Sequence, residues 1–203
     1  MNNEQENEVK FYVRDLVQVE EHLGSLGAEL LHPRSHEFNL RFDTHDRHLT
    51  QSFQVLRLRQ DQHTHLTYKG PSDPLSEVSS RREIEVEVND FAATRRFLEA
   101  LGYEVSITYE KYRTTYRYKT VELALDETPM GNFVEIEGAT AALIQKTAKE
   151  LKFNWHARIK SSYLALFHQI KEKYHLDVQN LTFEEFRGKH FSFEGLLTIG
   201  WHV

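Results

Sequence analysis

The chain of 203 residues contains no cysteine, which excludes disulfide bonds, thiolate metal ligands and a cysteine nucleophile. Proline (4 residues) and glycine (9 residues) are scarce, so a linker-rich or collagen-like chain is excluded as well. No apolar run approaches the roughly 18–20 residues that a membrane-spanning helix needs. The first eight residues are polar and show no signal or transit peptide. We therefore expect a cytoplasmic globular protein with no membrane partner.

The composition of the chain is that of an ordinary folded protein. Hydrophobic residues make up 39%, charged residues 28% and aromatic residues 12%, which suffices for one sizeable core or one domain with a tail. The net charge of −6 argues against nonspecific binding to nucleic acid, so no nucleic-acid partner is expected. The sequence leaves the oligomeric state open, a homodimer included.

Apolar residues alternate with polar ones along most of the chain, and the apolar set is β-branched or aromatic, which is typical of strands. The alternation predicts about eight strands, at residues 8–13, 37–43, 56–59, 65–69, 81–88, 110–118, 122–126 and 134–137. Most gaps between them have the length of a turn, which predicts largely antiparallel pairing. Asp15, Asp90 and Thr140 are placed to cap three amphipathic helices, and a fourth is expected at about 158–174.

The first two strand–helix–strand units resemble each other. Their helix caps, Asp15 and Asp90, and the glycines that follow the helices, Gly27 and Gly102, are both separated by 75 residues. This spacing suggests an internal duplication.

The end of the chain differs in composition from the rest. Residues 176–203 contain no Gly/Ser linker and are rich in aromatic side chains, namely Phe183, Phe186, Phe191, Phe193 and Trp201. We expect a first domain at 1–175 and a C-terminal extension at 176–203 that packs on the body or on a partner.

The polar faces of the predicted strands carry charges of both signs. Acidic pairs at i, i+2 spacing are Glu6/Glu8, Glu83/Glu85 and Glu135/Glu137, and basic pairs are Arg57/Arg59 and Lys111/Arg113. On a strand both members of such a pair point the same way, about 6–7 Å apart. Two carboxylates so placed repel each other unless a cation lies between them, whereas two cations favour a multivalent anion such as a phosphate chain.

For any single strand, the simpler interpretation is that the charged face looks into water. If the sheet closes, however, the helices cover the apolar faces from outside and the charged faces converge inside. Unpaired buried charge costs several kcal/mol per ion, so such an interior must be wet, cross-paired or built for a ligand. Oxygen ligands without cysteine favour Mg²⁺ or Mn²⁺ over Zn²⁺. A triphosphate with bound Mg²⁺ would satisfy both signs of charge.

At Glu6-Asn7-Glu8-Val9-Lys10 the chain has the E-x-E-x-K signature of the CYTH superfamily, also called triphosphate tunnel metalloenzymes, and it resembles that group. The signature is followed in order by Phe42-Asp43-Thr44, Leu56-Arg57-Leu58-Arg59, Thr67-Tyr68-Lys69-Gly70-Pro71, Arg81-x-Glu83-x-Glu85, Glu110-Lys111-x-Arg113, Leu125-Asp126 and Phe133-Val134-Glu135-Ile136-Glu137-Gly138. The resemblance covers roughly residues 6–170. It implies an α+β fold in which an eight-stranded antiparallel closed β-barrel forms a triphosphate tunnel, with amphipathic helices packed outside.

The resemblance also implies roles for individual residues. The phosphate-binding set is Lys10, Arg57, Arg59, Lys69, Arg81, Lys111, Arg113 and, from the late helical stretch, Lys160. The set that would hold one or two Mg²⁺ or Mn²⁺ ions is Glu6, Glu8, Asp126, Glu135 and Glu137. Candidate catalytic residues are Lys10, Glu83, Glu85 and Arg113. For Glu83 and Glu85 three roles stay open: binding metal, orienting water, or pairing with neighbouring bases.

Three functions are compatible with this sequence. The favoured one is metal-dependent hydrolysis of a small-molecule triphosphate: inorganic tripolyphosphate, a nucleoside triphosphate or thiamine triphosphate. The second is a class IV adenylate cyclase that converts ATP to cyclic AMP and pyrophosphate in the same tunnel. The chain lacks a His-Phe pair associated with some cyclases, which weakens that alternative. A noncatalytic module for nucleotide or polyphosphate is disfavoured, because no expected charged position is missing.

Overall fold

The computed structural model describes residues 4–201. Its strands are β1 (Gln5–Val13), β2 (Glu29–Asp43), β3 (Val55–Gln60), β4 (Thr64–Lys69), β5 (Ser79–Glu87), β6 (Glu104–Tyr118), β7 (Val121–Thr128) and β8 (Gly131–Glu137). The helices are α1 (Leu16–Ser25), α2 (His48–Gln51), α3 (Phe91–Ala100), α4 (Ala141–Glu150), α5 (Tyr163–Tyr174) and α6 (Phe183–Phe186), with a 3₁₀ turn at Trp155–Ala157. Within these residues no helix has the length and apolar character that crossing a bilayer requires.

The eight strands close into a ring in the order β1-β5-β4-β3-β2-β6-β7-β8, and each neighbouring pair is antiparallel. This confirms the predicted α+β class and the ring of eight antiparallel strands with helices outside it. Since side chains alternate along a strand, one face of each strand points into the ring and the other points outward. On β1 the outward residues Val9, Phe11 and Val13 are buried under helices.

The two halves of the ring have the same order of elements. A strand, a helix and three further strands follow one another in each, as β1-α1-β2-β3-β4 and β5-α3-β6-β7-β8, with the short helix α2 added in the first half. The first strands of the halves pair at Glu6 and Arg81, and the second strands, β2 and β6, pair along both their lengths. This topology matches the 75-residue spacing of the caps.

The three predicted helix caps are confirmed, whereas the predicted start of one strand is not. Asp15, Asp90 and Thr140 accept hydrogen bonds from the first backbone N–H groups of α1, α3 and α4. The start predicted for β2 was wrong, because the strand begins at Glu29. Its first part carries Pro33 and two register shifts, which hide the alternation.

The fourth helix also begins later than predicted. Residues 158–162 are not helical, because Ile159 exchanges backbone hydrogen bonds with Lys10 at 2.8 and 3.0 Å and so extends the sheet. Ser162 then caps α5 through the N–H of Ala165.

Residues 176–201 contact the ring and α5 at several separate points. Leu181 exchanges backbone hydrogen bonds with Thr108 and Glu110 of β6, each of 3.0 Å. Near the end of the described chain, the N–H of Gly200 donates to the carbonyl of Tyr12 at 2.7 Å. A Cβ atom at Gly200 would lie 2.6 Å from a side-chain atom of Phe11, so only glycine permits this close approach.

Candidate active site

The ring encloses a cavity of about 860 Å³ whose walls are mostly charged. The sequence-predicted residues that line it are Glu6, Glu8, Lys10, Arg57, Arg59, Lys69, Arg81, Glu83, Glu85, Lys111, Arg113, Glu135 and Glu137. The charged side chains of the strands therefore face one another across an enclosed channel. Of the predicted site residues, only Asp126 and Lys160 do not line it.

Asp126 lies directly behind the cavity wall and is completely buried. Arg113 donates two hydrogen bonds to its carboxylate, at 2.7 and 2.6 Å, and Lys111 donates one at 3.1 Å. The hydroxyl of Tyr163 donates another at 2.7 Å. Both carboxylate oxygens of Asp126 are therefore engaged by side chains of the protein, and its role as a metal ligand stays a prediction.

Lys160 is exposed outside the cavity, and its Nζ donates to the carbonyl of Ser76 at 2.8 Å. The cause is the extended backbone at 158–162. Since Ile159 packs inward against the ring, its neighbours point away from it. The prediction that Lys160 binds phosphate thus has no counterpart in this geometry.

One group of tunnel residues, which we call the paired cluster, has equal numbers of acids and bases. It consists of Glu37, Asp126, Glu135, Lys10, Lys111 and Arg113. Glu135 contacts Lys10 at 3.3 Å and also pairs with Arg113. Although burial opposes ionisation, these two cations keep the pKa of Glu135 well below its ordinary value. Three carboxylates and three cations are thus mutually neutralised.

A second group, the acidic cluster, has more acids than bases. It consists of Glu6, Glu8, Glu83 and Glu137 with the cations Lys69 and Arg81. Lys69 contacts Glu6 at 2.6 Å and Glu83 at 3.0 Å. Glu137 accepts no hydrogen bond from residues 4–201, and its partner across the β1–β8 pair is another acid, Glu8. Lys10, which contacts Glu8 at 2.6 Å, links the two clusters.

The excess of carboxylates shifts proton affinities within the acidic cluster. Burial, together with repulsion from Glu6, Glu8 and Glu83, raises the pKa of Glu137 to about 7. Burial and the neighbouring Glu6 raise the pKa of Glu83 to about 7 against the attraction of Lys69. Despite burial, Lys69 and Arg81 lower the pKa of Glu6 to about 2. The side chain of Glu137 keeps contact with solvent, so this part of the channel is wet.

The chemistry of the acidic cluster fits a divalent cation. Its donors are oxygens only, and its four carboxylates exceed its two cations, which suits Mg²⁺ or Mn²⁺. Within residues 4–201, no three acidic or histidine side chains converge closely enough to hold an ion by themselves. Mg²⁺ is commonly bound by one or two carboxylates together with water and substrate phosphates. The fit is therefore to an ion that shares its ligands with phosphate oxygens.

Glu85 lies two residues beyond Glu83 on β5, between two arginines of β3. Its carboxylate is 3.4 Å from Arg57 and 3.4 Å from Arg59, and it accepts a hydrogen bond from the hydroxyl of Thr67 at 2.7 Å. Of the three roles left open for Glu85, this geometry matches pairing with neighbouring bases.

Several residues that line the tunnel were not among the predicted site residues, including Glu37, Arg41 and Tyr163. Glu37 and Arg41 lie on the inner face of β2, and the period-2 alternation of that strand could have revealed them. Tyr163, the first residue of α5, lies with its ring 5.5 Å from Nζ of Lys10 and 5.4 Å from Nζ of Lys111. No periodic signal marks Tyr163, because it comes from a helix end and not from a strand.

The closed antiparallel ring and its channel lined by acidic and basic side chains place this chain among the tunnel proteins. The CYTH domain family matches residues 4–165, and the chain belongs to that family. A candidate adenylate cyclase of Methanocaldococcus jannaschii is 29% identical over 173 residues, which cover 79% of this chain and 97% of that protein.

Solved structures show the same fold. A candidate adenylate cyclase from Vibrio parahaemolyticus superposes with a TM-score of 0.72 at 22% identity, over 80% of this chain and 97% of that one. A Hippeastrum protein, described as a candidate adenylyl cyclase with a dominant triphosphatase activity, superposes with a TM-score of 0.58 at 21% identity. That match covers 81% of this chain and 95% of the Hippeastrum chain.

Proposed function

We propose that this protein hydrolyses a triphosphate inside its tunnel with the help of a divalent metal ion. The observation that best supports this is that all seven cations predicted from the strands line a single cavity, next to an acidic cluster with too few cations of its own. The seven cations are Lys10, Arg57, Arg59, Lys69, Arg81, Lys111 and Arg113. A short polyanion with bound metal complements both features.

The cations have a direct role in this proposal. Guanidinium groups bind phosphate oxygens through two parallel hydrogen bonds, and ammonium groups act as point charges. Lys10 and Arg113 are held by the carboxylates of the paired cluster before any substrate arrives. Such preorganised charges stabilise the negative charge that develops on the leaving phosphate.

Glu6, Glu8 and Glu137 are the residues that would hold Mg²⁺ or Mn²⁺. When bound, the ion supplies neutralisation of phosphate charge and alignment of the phosphate oxygens. We assign to Glu83 the role of accepting a proton from the attacking water. A carboxylate whose pKa lies near 7 can accept a proton at its Oε atom at neutral pH.

A class IV adenylate cyclase is the second candidate. It is favoured because the M. jannaschii relative, whose match covers 79% of this chain, is described as a candidate adenylate cyclase. Both reactions use the same tunnel, and they differ in whether water attacks the terminal phosphorus or the 3′-hydroxyl of ATP attacks the α-phosphorus.

Product analysis distinguishes the candidates. The protein is incubated with tripolyphosphate and, separately, with ATP, each with Mg²⁺ or Mn²⁺. Hydrolysis predicts orthophosphate from tripolyphosphate, whereas cyclisation predicts cyclic AMP and pyrophosphate from ATP. Arg57→Ala should weaken turnover in either case, and Arg95→Ala, on the outer helix α3, is the matched control. If the protein binds tripolyphosphate without turning over either compound, the enzymatic proposal is wrong.

A further inference from the structure

We propose that Arg41, Asn39 and the Nε group of Arg57 form an additional subsite that binds one phosphoryl group of the substrate. We call it the β2–β3 subsite. This inference rests on the proposed function and names residues of the tunnel that bind the triphosphate. Its basis is a set of polar groups on the inner faces of β2 and β3 that, within residues 4–201, have no carboxylate partner (Arg41) or no hydrogen-bond partner (Asn39 and the Nε of Arg57).

Arg41 differs from the seven predicted cations of the tunnel. Each of those pairs with a carboxylate, whereas Arg41 forms no ion pair with any residue in 4–201. Its side chain lines the cavity, and the one protein acceptor of its guanidinium within that range is the carbonyl of Gln54, at 3.2 Å.

The carboxylate nearest to Arg41 on its own strand is committed elsewhere. Asp43 is completely buried and accepts hydrogen bonds from the N–H of Leu49 at 2.9 Å and from the N–H and hydroxyl of Thr50 at 3.1 and 2.5 Å. It thereby holds α2 in place. The charge of Arg41 stays uncompensated by the strand that carries it.

Arg57 adds a second positive charge beside the first. Arg41 and Arg57 are direct cross-strand partners in the β2–β3 pair, where like charges are destabilising. Glu85 pairs with Nη2 of Arg57. The buried Nε of Arg57, however, has no hydrogen-bond partner within residues 4–201.

Asn39 supplies an independent indication of a ligand. It lies two residues from Arg41 on β2, between Arg59 of β3 and Tyr109 of β6, and is 0% exposed, so its amide is buried next to the cavity lining and not part of it. Within the described chain, neither its amide nitrogen nor its amide oxygen has a hydrogen-bond partner. Buried polar groups are normally satisfied, so an unpartnered amide beside two guanidinium groups points to an absent partner.

The chemistry of these donors selects a multivalent anion. The unpaired guanidinium of Arg41, the free Nε–H of Arg57 and an amide N–H match the several oxygens of a phosphoryl group. Arg41 is also the cross-strand partner of Ile107, which packs in the same cluster as Tyr163 and Leu164 of α5. The subsite therefore lies toward the α5 end of the tunnel.

Arg41→Gln tests the subsite, with Arg95→Gln on the outer helix α3 as matched control. Tripolyphosphate binding is measured by titration calorimetry in metal-free buffer, and KM is measured with Mg²⁺. We expect Arg41→Gln to raise Kd and KM at least roughly tenfold, as loss of a charged hydrogen bond does. The melting temperature of the ligand-free variant should equal or exceed that of the wild type. Arg95→Gln should change neither constant.

Asn39→Asp supplies the carboxylate that the subsite lacks. We expect it to raise the melting temperature of the ligand-free protein and to weaken tripolyphosphate binding as Arg41→Gln does. Unchanged binding in Arg41→Gln would overturn the subsite while leaving the proposed function intact. A ligand-free Arg41→Gln that is unfolded or clearly less stable would assign Arg41 a structural role and overturn the subsite as well. If wild-type protein binds no tripolyphosphate with or without Mg²⁺, both proposals fail.

Discussion

Two glutamates on one strand, Glu135 and Glu137, have opposite acid–base behaviour although only one residue separates them. Glu135 contacts Lys10 and Arg113, and its pKa lies well below the ordinary value. Glu137 faces Glu8 across the strand pair, and its pKa is raised to about 7. The difference comes from the number of cations within reach and not from the strand or the residue type.

The same contrast separates the whole paired cluster from the acidic cluster. In the paired cluster, nearby cations keep the pKa values of Glu37 and Glu135 below the ordinary value although burial opposes ionisation. In the acidic cluster, the two cations cannot neutralise four carboxylates, so protons or metal ions must supply the remainder. We infer that the first cluster stabilises the ring and that the second is kept for a ligand.

The largest effect is expected from Asp126→Asn in the paired cluster. This change leaves Lys111 and Arg113 with a missing partner, and breaking a buried ion pair typically costs about 3–5 kcal/mol. The free energy of unfolding, measured in urea, should fall by that amount. Glu122→Gln, an exposed position on the same strand, is the control. A loss below about 1 kcal/mol for Asp126→Asn would contradict the structural role of this cluster.

Glu137→Gln should have the opposite profile. Removing one of four crowded carboxylates relieves repulsion, so the metal-free protein should be at least as stable as the wild type. The Mn²⁺ concentration needed for half-maximal turnover, and for half of the rise in melting temperature, should increase about tenfold or more. Glu135→Gln provides the comparison, because it should destabilise the metal-free protein. Equal metal responses in wild type and Glu137→Gln would remove Glu137 from the metal site.

The raised pKa values predict a pH effect of a definite sign. Glu83 and Glu137 bind protons more tightly in the folded state, so the metal-free protein should lose stability as pH rises from about 4.5 to about 7. Glu6 and Glu37, with pKa values lowered to about 2, act oppositely, and their contribution is lost below about pH 4.5.

The measurement is the melting temperature of metal-free wild type and Glu137→Gln across pH 4.5–8. The difference between the two proteins should grow in favour of the variant as pH rises through 7, and Mn²⁺ should reduce it. A difference that stays constant with pH would show that Glu137 has an ordinary proton affinity.

Local alternation predicted most of the strands, whereas the closed ring and the tunnel residues were implied by the resemblance to the CYTH superfamily. Once β1, β3, β5, β6 and β8 were assigned, parity placed their charges on one face. The pairing of those charges could not be predicted in the same way. Whether Glu135 pairs with Arg113, or Glu137 lies opposite Glu8, depends on the register between strands that are distant in sequence.

Helix ends and irregular segments were predicted least well. The position of Tyr163 depends on Ile159 joining the sheet beside Lys10, and nothing in the local pattern of residues 158–162 indicates that pairing. The roles of the individual tunnel residues stay predictions that the experiments above address.

The smallest effect is expected from Lys160→Ala. Lys160 belongs to neither cluster, and its Nζ is engaged with the carbonyl of Ser76 outside the cavity. Its removal should change the Kd for tripolyphosphate less than about twofold, since an exposed charge with no direct contact contributes little. Lys69→Ala is the matched substitution inside the tunnel, where loss of a charged donor should weaken binding about tenfold or more. If Lys160→Ala weakened binding as strongly as Lys69→Ala, residues 158–162 would have to move toward the cavity when substrate binds. Lys160 would then belong to the tunnel and not to the outer surface.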